Sequence, residues 1–263
     1  MPNIATMIAA DDGAKLNVQV DGRDGAPVLM FSNSLGTDLR MWDAQTAALA
    51  DRFRIVRYDR RGHGKSEVPK GPYTMERLGL DVLSILNALK IDKINWCGLS
   101  MGGMVGQWLG ANAPQRINKL ILSNTSSWYP DKTPWNDRIK TVRESGLASM
   151  VDGNMSRWFT PGFIAKAPDA IAKMKEMFVA TKPDGYIACC EAVRDMDFRE
   201  SNPKVSVPTL VIVGAQDPAT PPAAGEAIRK AIPGAQLVSL DAAHIANIEQ
   251  PQAYTDTIVK FIG

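Results

Sequence analysis

Cysteine is scarce in this chain of 263 residues: three in all, two of them adjacent at Cys189 and Cys190. That number and spacing builds no disulfide framework, and Cys97 lies in an apolar run where a small buried residue is expected, so a reducing cytoplasm is the expected setting. Long apolar runs are missing as well. No stretch approaches the length of a membrane span, and Met1 to Thr6 carries no basic region ahead of an apolar core. Neither a membrane partner nor export is therefore expected. Charge of one sign is not in excess either, with 30 basic against 28 acidic residues and no basic block, which argues against nucleic acid as a partner. Histidine is scarcest, with only His63 and His244, in separate loops. Two isolated imidazoles offer no metal-ligand cluster, so neither a metal nor another cofactor is expected.

What is present is a regular alternation. Residues 4 to 10 and 15 to 21 read as strands joined at Asp11-Asp12-Gly13, an antiparallel edge. From Pro27 onward, short apolar runs (Val28 to Phe31, Phe53 to Tyr58, Ile94 to Cys97, Ile117 to Leu122, Leu210 to Val213, Gln236 to Leu240) alternate with helical stretches. Strands that are apolar throughout and alternate with helices belong to a parallel sheet covered on both faces, and ligands bind beyond the carboxyl ends of such strands. From Trp128 to Asp197 the alternation stops. Helical stretches punctuated by Pro130, Pro134, Pro161, Pro168 and Pro183 replace it, which predicts an all-helical lid at 128–197 on a core made of 1–127 and 198–263. Trp135, Trp158 and Phe159 are the lid residues expected to face a pocket.

The apolar run from Ile94 ends in Gly98-Leu99-Ser100-Met101-Gly102. A strand that reverses sharply into a helix holds its turn residue in a strained conformation and needs small neighbours, which Gly98 and Gly102 supply. The helix is expected from Met104 to Ala113, its N-terminal dipole favouring negative charge near Ser100. A serine hydroxyl needs a base, and the base needs a third group to set its tautomer. His63 lies in the polar glycine loop Asp59 to Ser66 and reads as a hydrogen-bonded loop residue, whereas His244 follows the last strand. Among acids, Asp241 is too close in sequence to turn back onto His244, and the strand end at Asn124 carries no carboxylate, which leaves Asp217. The order Ser100, Asp217, His244 is the one expected of this topology. In the turn at Asn33 to Thr37, the N–H of Leu35 with that of Met101 would form an oxyanion hole.

Together these features resemble the α/β-hydrolase family over nearly the whole chain. The resemblance implies a mostly parallel eight-stranded sheet with helices on both faces and the lid inserted after the sixth strand. One departure is Asn33-Ser34, where many members carry His-Gly. Ser32 to Asp38, Gly98 to Gly103 and Ala242 to Glu249 are similar to the bacterial 3-oxoadipate enol-lactonases of aromatic catabolism by the β-ketoadipate pathway. That resemblance implies a small-molecule lactone as substrate, opened by Ser100 through an acyl-enzyme. Because such a substrate carries a carboxylate, a lid cation should reach the pocket, with Arg138, Arg143, Arg157 and Arg194 as the choices. A general carboxylesterase or cofactor-free perhydrolase on the same triad, and a catalytically silent small-molecule-binding fold, stand as alternatives.

Overall fold

A computed structural model describes residues 4–263. The strands are β1 (Ile4–Ala9), β2 (Lys15–Gly22), β3 (Val28–Ser32), β4 (Arg54–Tyr58), β5 (Ile94–Leu99), β6 (Ile117–Ser123), β7 (Thr209–Gly214) and β8 (Gln236–Leu240). They form one sheet in the order β1-β2-β4-β3-β5-β6-β7-β8. β1 and β2 pair antiparallel, β2 pairs antiparallel with β4, and every other pairing is parallel. The helices are α1 (Asp43–Leu49), α2 (Met75–Ala88), α3 (Met101–Asn112), α4 (Thr133–Ser145), α5 (Val151–Trp158), α6 (Pro161–Lys166), α7 (Pro168–Val179), α8 (Pro183–Asp195), α9 (Pro222–Ala231), α10 (Ala246–Glu249) and α11 (Pro251–Ile262).

Sequence and packing agree at the centre of the sheet, where all six residues of β5 are buried. Successive side chains on a strand point to opposite faces. Trp96 accordingly packs toward α3, its indole N–H donating to the Gly102 carbonyl at 3.2 Å, while the next residue, Cys97, meets the Tyr254 hydroxyl of α11 at 3.6 Å. Two helical layers therefore enclose β5, and a strand hidden on both sides reads as a mostly apolar run, interrupted here by Asn95.

All helices from α4 to α8 lie between β6 and β7. Proline occupies the first turn of α4, α6, α7 and α8, where its missing N–H costs nothing and its fixed φ favours the helix. The segment between β6 and β7 is thus cut into short helices by residues that start each one. No helix of the described residues is long and apolar enough to cross a membrane.

Candidate active site

Six consecutive parallel strands share one carboxyl edge, and the chemistry-bearing loops leave from it. Ser100 joins β5 to α3 with φ 57° and ψ −114°, a region costing a non-glycine residue about 1–3 kcal/mol. The turn closes because its neighbours lack side chains. A Cβ on Gly98 would lie 2.1 Å from the Gly102 carbonyl oxygen, and one on Gly102 would lie 2.2 Å from that of Ser32. Backbone bonds lock the strained residue: its N–H donates to the Ser123 carbonyl at 2.8 Å, and the Thr125 hydroxyl donates to its carbonyl at 2.7 Å. α3 begins at Met101, three residues before the expected Met104. Gly102-Gly103 is a poor helix-forming pair, yet close packing on Ser32 and Thr125 holds it in the first turn.

His244 and Asp217 meet after β8 and β7, with His244 Nδ1 at 2.9 Å from Asp217 Oδ2. Asp217 is buried and fully engaged. Its Oδ1 accepts the N–H groups of Ala219 (2.8 Å) and Thr220 (3.0 Å), and its Oδ2 also accepts from the Thr220 hydroxyl (2.7 Å) and the Asn124 amide (3.1 Å). Burial works to raise this carboxyl, but the His244 charge and these donors outweigh it and hold the group at about 2. Asp241 points elsewhere, accepting from the Gln216 amide at 2.7 Å.

His63 lies on the far side of the Asn33 to Thr37 turn, where its Nε2 accepts the Gly36 N–H at 3.0 Å. Burial, aided by the Arg60 charge, pushes this imidazole down to about 3. Because its folded value lies below the ordinary 6.5, the unfolded chain binds the proton first, so the stability conferred by the neutral ring is complete above pH 6.5 and is lost as pH falls from there toward 3. The loss attributable to His63 between pH 7 and 5 is about 2 kcal/mol. His63→Gln, which keeps an acceptor but does not titrate, is expected to show that much less acid sensitivity in urea unfolding at the two pH values; equal losses in both proteins would contradict the assignment.

A cavity of about 230 Å³ brings the pieces together: Ser100, His244, Leu35 and Met101 line it from the sheet edge, and Trp135, Arg138 and Trp158 line it from the helices between β6 and β7. That volume suits a small molecule. Among the described residues, the N–H groups of Leu35 and Met101 have no hydrogen-bond partner in the chain. The Asn33 that replaces histidine is tied down by its side chain, which donates to the Tyr58 carbonyl (2.9 Å) and accepts from the Trp42 indole (3.0 Å). Phe159 does not line the cavity; it is buried beneath the surface of the helical segment and stacks on Phe163 at 5.2 Å.

The arginines separate by their partners. Arg143 pairs with Glu191 and Arg194 with Asp195. Arg138 and the more exposed Arg157 both line the cavity, and neither has a carboxylate within ion-pair distance among the described residues. Arg138 donates to the Tyr186 hydroxyl at 2.6 Å and to Asn154 Oδ1 at 3.2 Å. Burial and then the charge of Arg138 push the Arg157 guanidinium down, as expected of two like charges facing one space. Asn154 is buried and also lines the cavity, with an amide nitrogen that finds no acceptor among the described residues. No group of residues able to hold a metal occurs among those described.

Residues 27–251 match the sequence profile of the alpha/beta hydrolase fold, a span that includes Leu35, Ser100, Asp217 and His244. The chain belongs to the α/β-hydrolase family. Among α/β-hydrolases it is similar to 3-oxoadipate enol-lactonase 2 of Acinetobacter baylyi, 42% identical over 95% of this chain and 94% of that one. It also resembles the crystal structure of the enol-lactonase from Burkholderia xenovorans, 44% identical with a TM-score of 0.95, covering 98% of this chain and 99% of that one. A thermophilic esterase from Thermogutta terrifontis is 30% identical with a TM-score of 0.91, covering 98% of each chain. Asn124, Thr220 and Asn154 are absent from the sequence-based site of this α/β-hydrolase. A polar residue at a strand end is the one signal that pointed to any of them, and for Asn124 it was read only as a missing carboxylate.

Proposed function

We propose that this chain hydrolyses 3-oxoadipate enol-lactone to 3-oxoadipate through Ser100, His244 and Asp217. Similarity to proteins named as enol-lactonases supports the reaction, and one observation carries the substrate class. Arg138, Arg157 and an unsatisfied Asn154 amide line the cavity with no carboxylate within ion-pair distance of either guanidinium among the described residues, and the one acid in the lining, Asp131, accepts the Thr133 N–H at 2.8 Å instead. A free carboxylate on the lactone supplies that counter-charge, relieving the repulsion between the two guanidinium groups while its ester carbonyl reaches Ser100. The helical segment 128–197 then serves as a lid that both covers the crevice and reads the substrate's charge.

In this reading the Ser100 hydroxyl attacks the lactone carbonyl and gives its proton to His244 Nε2, with Asp217 holding Nδ1–H. The oxyanion is received by the N–H groups of Leu35 and Met101, which are the free donors beside the serine. Collapse breaks the C–O bond to the enol oxygen, which takes the proton from His244. The enol, a better leaving group than an alkoxide, becomes a ketone and so does not re-close the ring. Water then attacks the acyl-enzyme with His244 as base, releasing the second carboxylate and restoring Ser100.

The test is turnover of freshly prepared lactone, followed by loss of its ultraviolet absorbance, beside an uncharged aryl acetate. Arg138→Met is expected to raise KM for the lactone about 10–100-fold, the worth of one charge-assisted contact, and to leave KM for the acetate within about threefold. Fast acetate cleavage without lactone turnover would replace this reading with a general esterase. Silence on both substrates would leave a binding protein.

A further inference from the structure

The loop that follows β4, Asp59 to Ser66, contains two adjacent arginines with opposite circumstances. Arg61 is paired, its Nε 2.6 Å from Asp81 and its Nη1 2.9 Å from Asp12. Arg60 is 1% exposed and, among the described residues, has no carboxylate within ion-pair distance. Burying a guanidinium without a counter-ion is unfavourable, and here only hydrogen bonds to neutral groups offset it. Its contacts are two backbone carbonyls: Nη1 donates to Ser34 at 3.1 Å and Nη2 donates to Asn33. The same Ser34 carbonyl accepts from the Thr37 hydroxyl at 2.9 Å, and the Asn33 carbonyl accepts the Gly102 N–H at 3.1 Å.

The Ser34 carbonyl and the Leu35 N–H belong to one peptide unit. In a planar trans peptide these two groups point in opposite directions. Donors fixed on the carbonyl from behind therefore fix the N–H in front, where Leu35 lines the cavity beside Ser100. They also polarise the unit, which strengthens the N–H as a donor. A positive charge held one peptide away from the reacting carbonyl, on a buried side chain, favours the negative charge that develops there.

We propose that Arg60 is a positioning residue for the oxyanion hole: it orients and polarises the Ser34–Leu35 peptide and supplies a permanent buried charge behind it. This rests on the acyl-transfer reading above. It explains why the cation lacks a partner, since a carboxylate at Arg60 would cancel the field that an oxyanion needs.

The test compares Arg60→Met and Arg60→Lys with wild type in kcat, KM and the affinity for a trifluoromethyl ketone, whose adduct with Ser100 carries an oxyanion. Arg60→Met is expected to lower kcat about 30–100-fold, somewhat less than outright removal of an oxyanion donor, with KM within about threefold. Ketone affinity should weaken by a similar factor, and Lys, which keeps the charge, should recover about tenfold of the loss. Any of three results would overturn the proposal: unchanged kcat, a fall in kcat with unchanged ketone affinity, or a Lys variant no better than Met. Should Arg60→Met fail to fold, Thr37→Val removes the other donor to the same carbonyl. It is expected to lower kcat and ketone affinity about 3–10-fold together, and no effect on either would count against the proposal. Wild-type protein inactive on lactone and ester, or turnover that survives Ser100→Ala, would sink the acyl-transfer reading itself; Ser100-dependent turnover indifferent to Arg60 sinks only this inference.

Discussion

Ser100→Ala is expected to lower kcat on the enol-lactone by about 10⁶-fold, because without the hydroxyl neither His244 nor the oxyanion donors have an attacking group to assist. Residual turnover of about 10³–10⁴ over the uncatalysed rate would come from binding and the oxyanion donors alone. The fold should not notice. Among the described residues the Ser100 hydroxyl makes no hydrogen bond, and the bonds that hold its strained backbone use only its N–H and carbonyl. Ser100→Gly makes a sharper companion: equally inactive, yet stabilised by about 1 kcal/mol, since glycine tolerates φ 57° without a Cβ penalty. Stopped-flow turnover beside thermal unfolding of the three proteins checks both halves. An alanine variant within about 100-fold of wild type would remove Ser100 from the reaction.

The sheet was legible because its information is local. β5 to β7 carry the apolar runs Trp96-Cys97, Leu120 to Leu122 and Leu210 to Val213, as strands buried on both faces do, and the turn at Asp11 to Gly13 marks the antiparallel edge. Helix ends were read less well where packing overrode propensity. Gly102-Gly103 is a poor start for a helix in isolation, but its lack of side chains is what lets α3 lie against Ser32 and Thr125. α6 and α10 are too short, at six and four residues, to leave a periodic pattern, so neither was anticipated.

The site divides along the same line. Ser100, Asp217 and His244 each stand in a loop at a strand end, and strand order alone brings those loops to one edge. Which aromatic faces the cavity is a matter of rotation within the helical segment. Trp158 is the last residue of α5 and lines the cavity, whereas the neighbouring Phe159 turns into the space beside Phe163. Composition could not separate the four arginines either. The distinction among them is what each lacks: Glu191 and Asp195 stand beside Arg143 and Arg194, and no acid stands beside Arg138. A partner's absence is a tertiary fact. Arg60 went unread for the same reason, being one of several polar residues in a glycine-rich turn until the carbonyls of Asn33 and Ser34 are seen to converge on it.

Asp217→Asn is expected to lower kcat by about 10⁴-fold while leaving KM near its wild-type value. The hydrogen bonds decide how the new amide sits. Oδ1 of Asp217 accepts two backbone N–H groups, so an asparagine keeps its carbonyl oxygen there and places its NH₂ where Oδ2 was. That NH₂ then faces His244 Nδ1, and as a donor it selects the tautomer with the proton on Nε2. A histidine already protonated on Nε2 cannot take the proton of Ser100. The same NH₂ opposes the Asn124 amide, which now donates toward a donor and keeps only its bond to the Ala243 carbonyl. Stability should fall as well. The carboxyl is held at about 2 against an ordinary 3.8, so its ionised form contributes about 2 kcal/mol above pH 4, a contribution that is lost as pH falls through about 2. Urea unfolding at pH 7 should therefore separate wild type from Asp217→Asn by roughly that amount, and the gap should close as the pH approaches 2. A variant with nearly normal kcat at pH 7 would mean that the tautomer of His244 is set by something other than Asp217, and Thr220, whose hydroxyl lies 3.3 Å from Nδ1, would be the residue to replace next.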